Sequence, residues 1–241
     1  MASFHYRIKS GKKGTAVDHS SYIMREGKYR DREDVLWTGS GNLPEWAKDD
    51  PKQFWKMADR YERANGAAYR EHEVTLPSEL NEVQLHALVD KLVQALAGDK
   101  PHQYAIHAPV AALAGVRQPH MHLVASDRMP DGLTRPAEQM FRRFNPKAPN
   151  RGGCRKDSGG RLPLEVRDEL IARRKMIAEL QNEALADSGH DTRVDHRSHK
   201  ERGIESQPER HLGPARIKHM TVEDKTEYLA GRAGAKKGGK A

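Results

Sequence analysis

Gln118-Pro119-His120-Met121-His122-Leu123-Val124 is the stretch on which the reading of this chain turns. Successive side chains of a β-strand point to opposite faces. His120 and His122 therefore share one face, while Met121 and Leu123 take the other and can enter a core. Upstream, Tyr104-Ala105-Ile106-His107-Ala108 reads as a neighbouring strand. Antiparallel pairing through the connection over 108–119 would bring His107 beside the pair. Three neutral imidazoles would then surround one divalent cation and leave positions open to substrate oxygens. The same pattern also suits polar residues on a solvent-facing strand. His5, His19, His72 and His102 compete for the third place, and His72 is the weakest of them. Glu71 and Glu73 flank His72 and so point to the opposite face, where they can accept ring N–H groups or carry a proton.

Working outward, residues 3–9 read as a strand ending in the basic turn SGKKG, and 15–26 as a helix stopped by Gly27. Residues 42–50 form a loop, and 51–65 suit a helix with Phe54, Met57, Ala58 and Tyr61 on one stripe. Residues 69–76 alternate as a strand up to Pro77. Residues 81–97 are the clearest helix, with Asn81 and Gln84 as a capping box and Gly98 as its stop. The strands at 104–108 and 120–126 follow. Residues 145–160 look like a flexible basic loop, and 163–188 like a long charged helix stopped by Gly189. Strands interleaved with helices imply an α+β fold, one sheet with helices against it.

The chain has 241 residues, enough for one generous domain and a tail. That domain is expected over 1–214, with 163–214 closing it and 215–241 as a flexible basic tail ending in GRAGAKKGGKA. Forty-two Lys and Arg oppose 34 Asp and Glu, and the resulting +8 suggests a polyanionic partner. Aromatic residues are only 6%, which argues against a stacking platform as the whole function. The single Cys154 cannot form an internal disulfide, as expected for a reducing cytoplasm. The N-terminal MASFHYRIKSGKK has no apolar core of a signal peptide, and no run approaches the ~20 apolar residues of a membrane span.

Tyr22 sits on the first helix in Tyr22-Ile23-Met24-Arg25-Glu26-Gly27-Lys28-Tyr29. A tyrosine hydroxyl is a poor nucleophile at neutral pH, and a nearby cation would activate it. A helical tyrosine near an arginine is, however, ordinarily a packing residue. Candidate phosphate contacts are Lys12, Lys13, Arg25, Lys28, Arg142, Arg143, Lys147, Arg151, Arg155 and Lys156.

Segments in order carry a family resemblance: YIMREGKY (22–29), YERANG (61–66), EHEVTLP (71–77), AIH (105–107), PHMHLV (119–124), DHR (195–197) and HLGP (211–214). Together they resemble the MobA/MobL plasmid mobilisation relaxases, within the HUH endonucleases. The resemblance implies a five-stranded antiparallel sheet with helices. It implies Tyr22 as nucleophile on single-stranded DNA at a transfer origin, and His107, His120 and His122 as ligands of Mg²⁺ or Mn²⁺. Accessory relaxosome proteins and a conjugation coupling protein would be partners. The chain has no room for the helicase or primase that many members carry. Rival readings are a rolling-circle replication initiator and a non-catalytic single-stranded DNA-binding protein. A histidine-triad hydrolase fails because its third alternating position is Val124.

Overall fold

The computed structural model describes residues 3–111, 115–205, 212 and 214–237. Its strands are β1 (Tyr6–Lys12), β2 (Val35–Gly41), β3 (Ala67–Thr75), β4 (His102–His107) and β5 (His120–Ala125). They form one sheet in the order β1-β3-β5-β4-β2, every pair antiparallel. The helices are α1 (Ala16–Ile23), α2 (Pro51–Tyr61), α3 (Glu82–Ala97), α4 (Ala137–Met140), α5 (Pro163–Asp187), α6 (Pro214–His219) and α7 (Val222–Lys237). This is the expected α+β architecture.

Each face of the sheet has its own core. Val74, Ile106, Met121 and Leu123 meet Leu88, Val89 and Leu92 of α3 and Ile177 and Leu185 of α5. On the other face Ala105 and Val124 meet Ile23 of α1, Phe54, Trp55 and Ala58 of α2, and Phe141. Met121 and Leu123 are fully buried, as the alternation requires. Asn81 and Gln84 form the expected capping box on α3.

Four expectations change. Helix α1 stops at Ile23 rather than near Gly27, because Arg25 adopts a left-handed φ of 55°. Strand β1 runs on through Ser10 to Lys12, so the basic turn begins later. Residues 145–160 are held in place rather than free. Arg128 donates to the carbonyls of Phe141, Arg142 and Cys154, and Arg135 to those of Pro149 and Gly152. Most of 215–241 is helical; Thr221 and Asp224 cap each other's backbone N–H at the start of α7. Strand β2 was not expected at all. The HLGP segment lies partly outside the described residues, as do residues 112–114.

His72 lies on the α3 face, its Nδ1 paired with the Tyr6 hydroxyl at 2.8 Å. Burial, helped by Arg173, Lys100 and Arg70, pushes its pKa from 6.5 to about 3. The unfolded chain therefore binds one more proton than the folded one between those values. Stability is complete above pH 6.5 and falls as pH drops towards 3. A His72→Gln chain is expected to flatten urea-unfolding stability between pH 7 and pH 4 by roughly 3 kcal/mol. Parallel curves for the two chains would show that His72 does not carry this dependence.

Candidate functional site

The register places the histidines together. His107 on β4 faces His120 on β5 directly, and His122 faces Ala105. The ring centroids are 5.4 Å apart for His107 and His120, 4.8 Å for His107 and His122, and 5.0 Å for His120 and His122. One donor atom from each lies within 4.8 Å of the others, so the three could hold one metal ion. His5, His19, His72 and His102 are not members of this cluster.

Each ring is oriented from behind. His122 Nδ1 pairs with Glu71 Oε1 at 2.7 Å, and His120 Nδ1 with the Gln118 carbonyl at 3.0 Å. Both leave Nε2 as the free donor, the arrangement usual for metal-bound imidazoles. His107 differs. Its Nε2 donates to the Ile23 carbonyl at 2.7 Å, and its Nδ1 accepts from Arg25 Nη2 at 3.1 Å. Its joining a cation would displace one of those partners. Burial lowers His107 to about 4 and lowers His120 as well, so both are neutral at pH 7.

Glu71 is 2% exposed. Burial works against its charge, but His122 and His19 outweigh it and hold the carboxyl well below the usual range. His19 Nε2 lies 3.2 Å from Glu71 Oε1 without hydrogen-bond alignment. Glu73 shares the face, opposite His122 in register, and receives Lys9 Nζ at 2.8 Å. The sequence placed both glutamates on this face but could not rank them. Contact ranks them: Glu71 braces a ring, and Glu73 stays accessible.

Helix α1 begins near the Lys12 end of the sheet and runs back towards the cluster. Tyr22 is next to Ile23, whose carbonyl binds His107. Its ring stacks on His19 with centroids 6.0 Å apart and meets Tyr29 edge-on at 5.2 Å. The Arg25 guanidinium sits 4.8 Å from the Tyr22 ring centre, and that of Arg32 5.9 Å. Arg25 also donates to both Asp34 oxygens, at 2.8 and 2.9 Å, and to the Tyr22 carbonyl. A left-handed non-glycine costs about 1–2 kcal/mol; these bonds offset it. Sequence reasoning missed Asp34 and Arg32, which no motif spacing marks.

The cations divide. Arg25 is committed to Asp34, Lys28 to Asp18, Arg142 to Glu138, and Lys156 lies near Glu62 and Asp127. Lys12, Lys13, Arg143, Lys147, Arg151 and Arg155 are exposed. The sheet places Lys12, opposite Ala67, at the end away from the histidines.

A three-histidine cluster on the central strands of a five-stranded antiparallel sheet, with a tyrosine helix against it, defines an α+β protein with a candidate metal site. The chain belongs to the MobA/MobL family, whose pattern matches residues 12–221. It is 45% identical over 208 residues to the "43 kDa relaxation protein" of Salmonella typhimurium, covering 85% of this chain and 56% of that protein. It is 41% identical over 220 residues to "Mobilization protein A" of Escherichia coli, covering 89% of this chain and 30% of that protein. "Mobilization protein MobL" of Acidithiobacillus ferridurans is 32% identical over 190 residues, covering 72% of this chain and 48% of that protein. The chain thus spans about half or less of these relatives. A solved structure described as "Molecular Basis of Vancomycin Resistance Transfer in Staphylococcus aureus" superposes with TM-score 0.60 at 20% identity. That likeness covers 82% of this chain and all of the other, and concerns the fold. Among the described residues no helix is long and apolar enough to cross a membrane.

Proposed function

We propose that the chain is a relaxase: a strand transferase that nicks single-stranded DNA at a plasmid transfer origin and rejoins it. The observation that carries this reading is the seam between helix and cluster, where the carbonyl next to Tyr22 is bonded to His107. It sets a potential nucleophile beside a set of metal donors. The Tyr22 oxygen attacks the phosphorus in line. Its proton passes to a base, for which Glu73 is the accessible carboxylate on the site face. The P–O3′ bond breaks, leaving a 5′-phosphotyrosine and a strand that takes up a proton as a free 3′-hydroxyl. Rejoining reverses each bond change, so no ATP is needed.

His107, His120 and His122 would hold the cation, which when bound withdraws charge from the scissile phosphate. Imidazole donors suit Mn²⁺ better than Mg²⁺, which prefers all-oxygen surroundings. Glu71 keeps the His122 ring oriented. Arg32, exposed beside the Tyr22 ring, adds positive charge where the phosphate negative charge must be balanced, while Arg25, paired with Asp34, positions the ring. Accessory relaxosome proteins and a coupling protein in the cytoplasm complete the reading. Relatives named for mobilisation favour it over a replication initiator, and the histidine cluster favours it over a passive DNA binder.

The test is a denaturing gel of labelled origin oligonucleotide incubated with protein and Mn²⁺. The expected result is a protein–DNA adduct that disappears with chelator. In a His120→Ala/His122→Ala chain, both the adduct and calorimetric Mn²⁺ binding should be lost. Cleaved DNA carrying no protein, or an adduct of undiminished yield without metal, would defeat the reading.

A further inference from the structure

A second basic feature lies at the opposite end of the sheet from the histidines. A concave pocket of about 270 Å³ is lined by Arg63, Arg128, Arg143, Phe144, Arg155 and Lys156, with Gly159. No carboxylate lines it. Two of its cations are structural. Arg128 is forked onto buried Glu62 at 2.8 and 2.9 Å, and Lys156 Nζ donates to the Ala67 carbonyl at 2.8 Å. Three are free. Arg63 is exposed and only 3.8 Å from Glu62, the carboxylate Arg128 already occupies. Arg143 and Arg155 are exposed and have no ion-pair partner among the described residues.

Glu62 and Asp127 meet part of this charge from beneath, but Arg143 and Arg155 bring uncompensated charge to the same hollow, which a bound anion would neutralise. The backbone beneath is rigid. Gly152 and Gly153 are buried, and a Cβ on Gly153 would lie 2.2 Å from the Arg142 carbonyl oxygen. The loops therefore close tightly under the cations, and a fixed backbone lowers the ordering cost of binding a phosphate.

We infer that this pocket holds a backbone phosphate of the same single DNA strand that the histidine site cuts, with a neighbouring base on Phe144. The inference rests on the nicking reading above. Arginine forks suit phosphate oxygens, and an aromatic face beside them suits an unstacked base. A single strand can bend to bring one phosphate and its neighbouring base into the hollow together. Lys12 and Lys13 stand at the same end of the sheet and extend the positive surface.

Geometry gives the spacing. Lys156 binds Ala67 at one end of β3, and Thr75 pairs with His120 at the other. Eight strand steps separate them, about 25 Å at ~3.3 Å per residue. A strand stacked at ~3.4 Å per nucleotide covers that in about seven nucleotides, and an extended one in about four. The remote contact therefore acts only on DNA that continues that far from the cut on one side.

The test uses a chain with Arg63→Ala, Arg143→Ala and Arg155→Ala. Its affinity is measured by fluorescence anisotropy in Mn²⁺ buffer. One oligonucleotide spans the cut by about ten nucleotides each way; two others are trimmed to about three on one side or the other, shorter than the span. On the long DNA we expect binding at least about tenfold weaker than wild type and a salt slope smaller by about 2, near 0.7 per lost contact. The deficit should vanish on one trimmed DNA and persist on the other. No deficit on the long DNA, or an equal one on all three, would overturn the remote site. Adduct formation by wild type on the trimmed DNAs tests nicking by itself, so the two readings can fail separately.

Discussion

A Tyr22→Phe chain is expected to bind origin DNA as the parent does and to form no covalent adduct, with strand transfer lower by on the order of 10⁴ or more. The ring contacts survive the change. Phenylalanine still stacks near His19, meets Tyr29 edge-on and lies under the Arg25 guanidinium. Only the hydroxyl goes, so a fall in adduct cannot be blamed on packing. Tyr29 is the competitor that the sequence offers, seven residues on. The end of α1 at Ile23 removes the shared helix face on which that competition depended. The Tyr29 hydroxyl also donates to Asp18 at 2.9 Å, beside Lys28. A Tyr29→Phe chain should therefore keep adduct formation within about tenfold. The measurement is adduct yield and initial rate on denaturing gels, with peptide mapping of the linked residue. A normal adduct from the Tyr22→Phe chain would move the nucleophile elsewhere.

Glu62→Gln should destabilise the fold by about 3–5 kcal/mol. Glu62 and Arg128 are 1% and 2% exposed. The carboxylate takes two Arg128 nitrogens, the Arg63 backbone N–H at 2.9 Å, and lies 3.4 Å from Lys156 Nζ. Neutralising it leaves a buried guanidinium without its counter-charge and the Lys156 ammonium with Asp127 alone. Arg128 also holds the carbonyls of Phe141, Arg142 and Cys154, so its displacement would loosen the loops over 127–160. Urea unfolding is expected to show the loss, and limited proteolysis to cut those loops first. A Glu62→Gln/Arg128→Met chain should lose less than the two single changes added together, because the stranded charge is gone. A loss below about 1 kcal/mol in Glu62→Gln would mean that water or another group replaces the carboxylate.

The sequence by itself determined the central strands, the long helices and the His120–His122 pair, while the third histidine came from the family resemblance. Each rests on a local rule. Alternation sent Met121 and Leu123 inward and His120 and His122 to the other face. A cap and a stripe marked α3. A twelve-residue connection between two apolar strands was enough to expect a hairpin, and the structure fixed its register, with His107 against His120. The same alternation put Glu71 and Glu73 on the histidine face.

Only the tertiary structure decided the rest, because the deciding contacts join residues far apart in the chain. Strand β2 escaped the sequence reading, since Gly39 and Gly41 lack side chains and strand propensity. They are strand residues because the Tyr104 and His102 rings of β4 lie over them, where a Cβ would come within 2.4 and 2.7 Å. The helix end at Ile23 depends on Arg25 being caught by Asp34 and His107. The basic loop is ordered by Arg128, whose partner Glu62 is 66 residues away. Which cations are free for an anion follows from these same pairings. Charge alone cannot distinguish Arg143 and Arg155, which stand free, from Arg25 and Lys156, whose charges are met inside the fold, because burial and partner are properties of the folded chain.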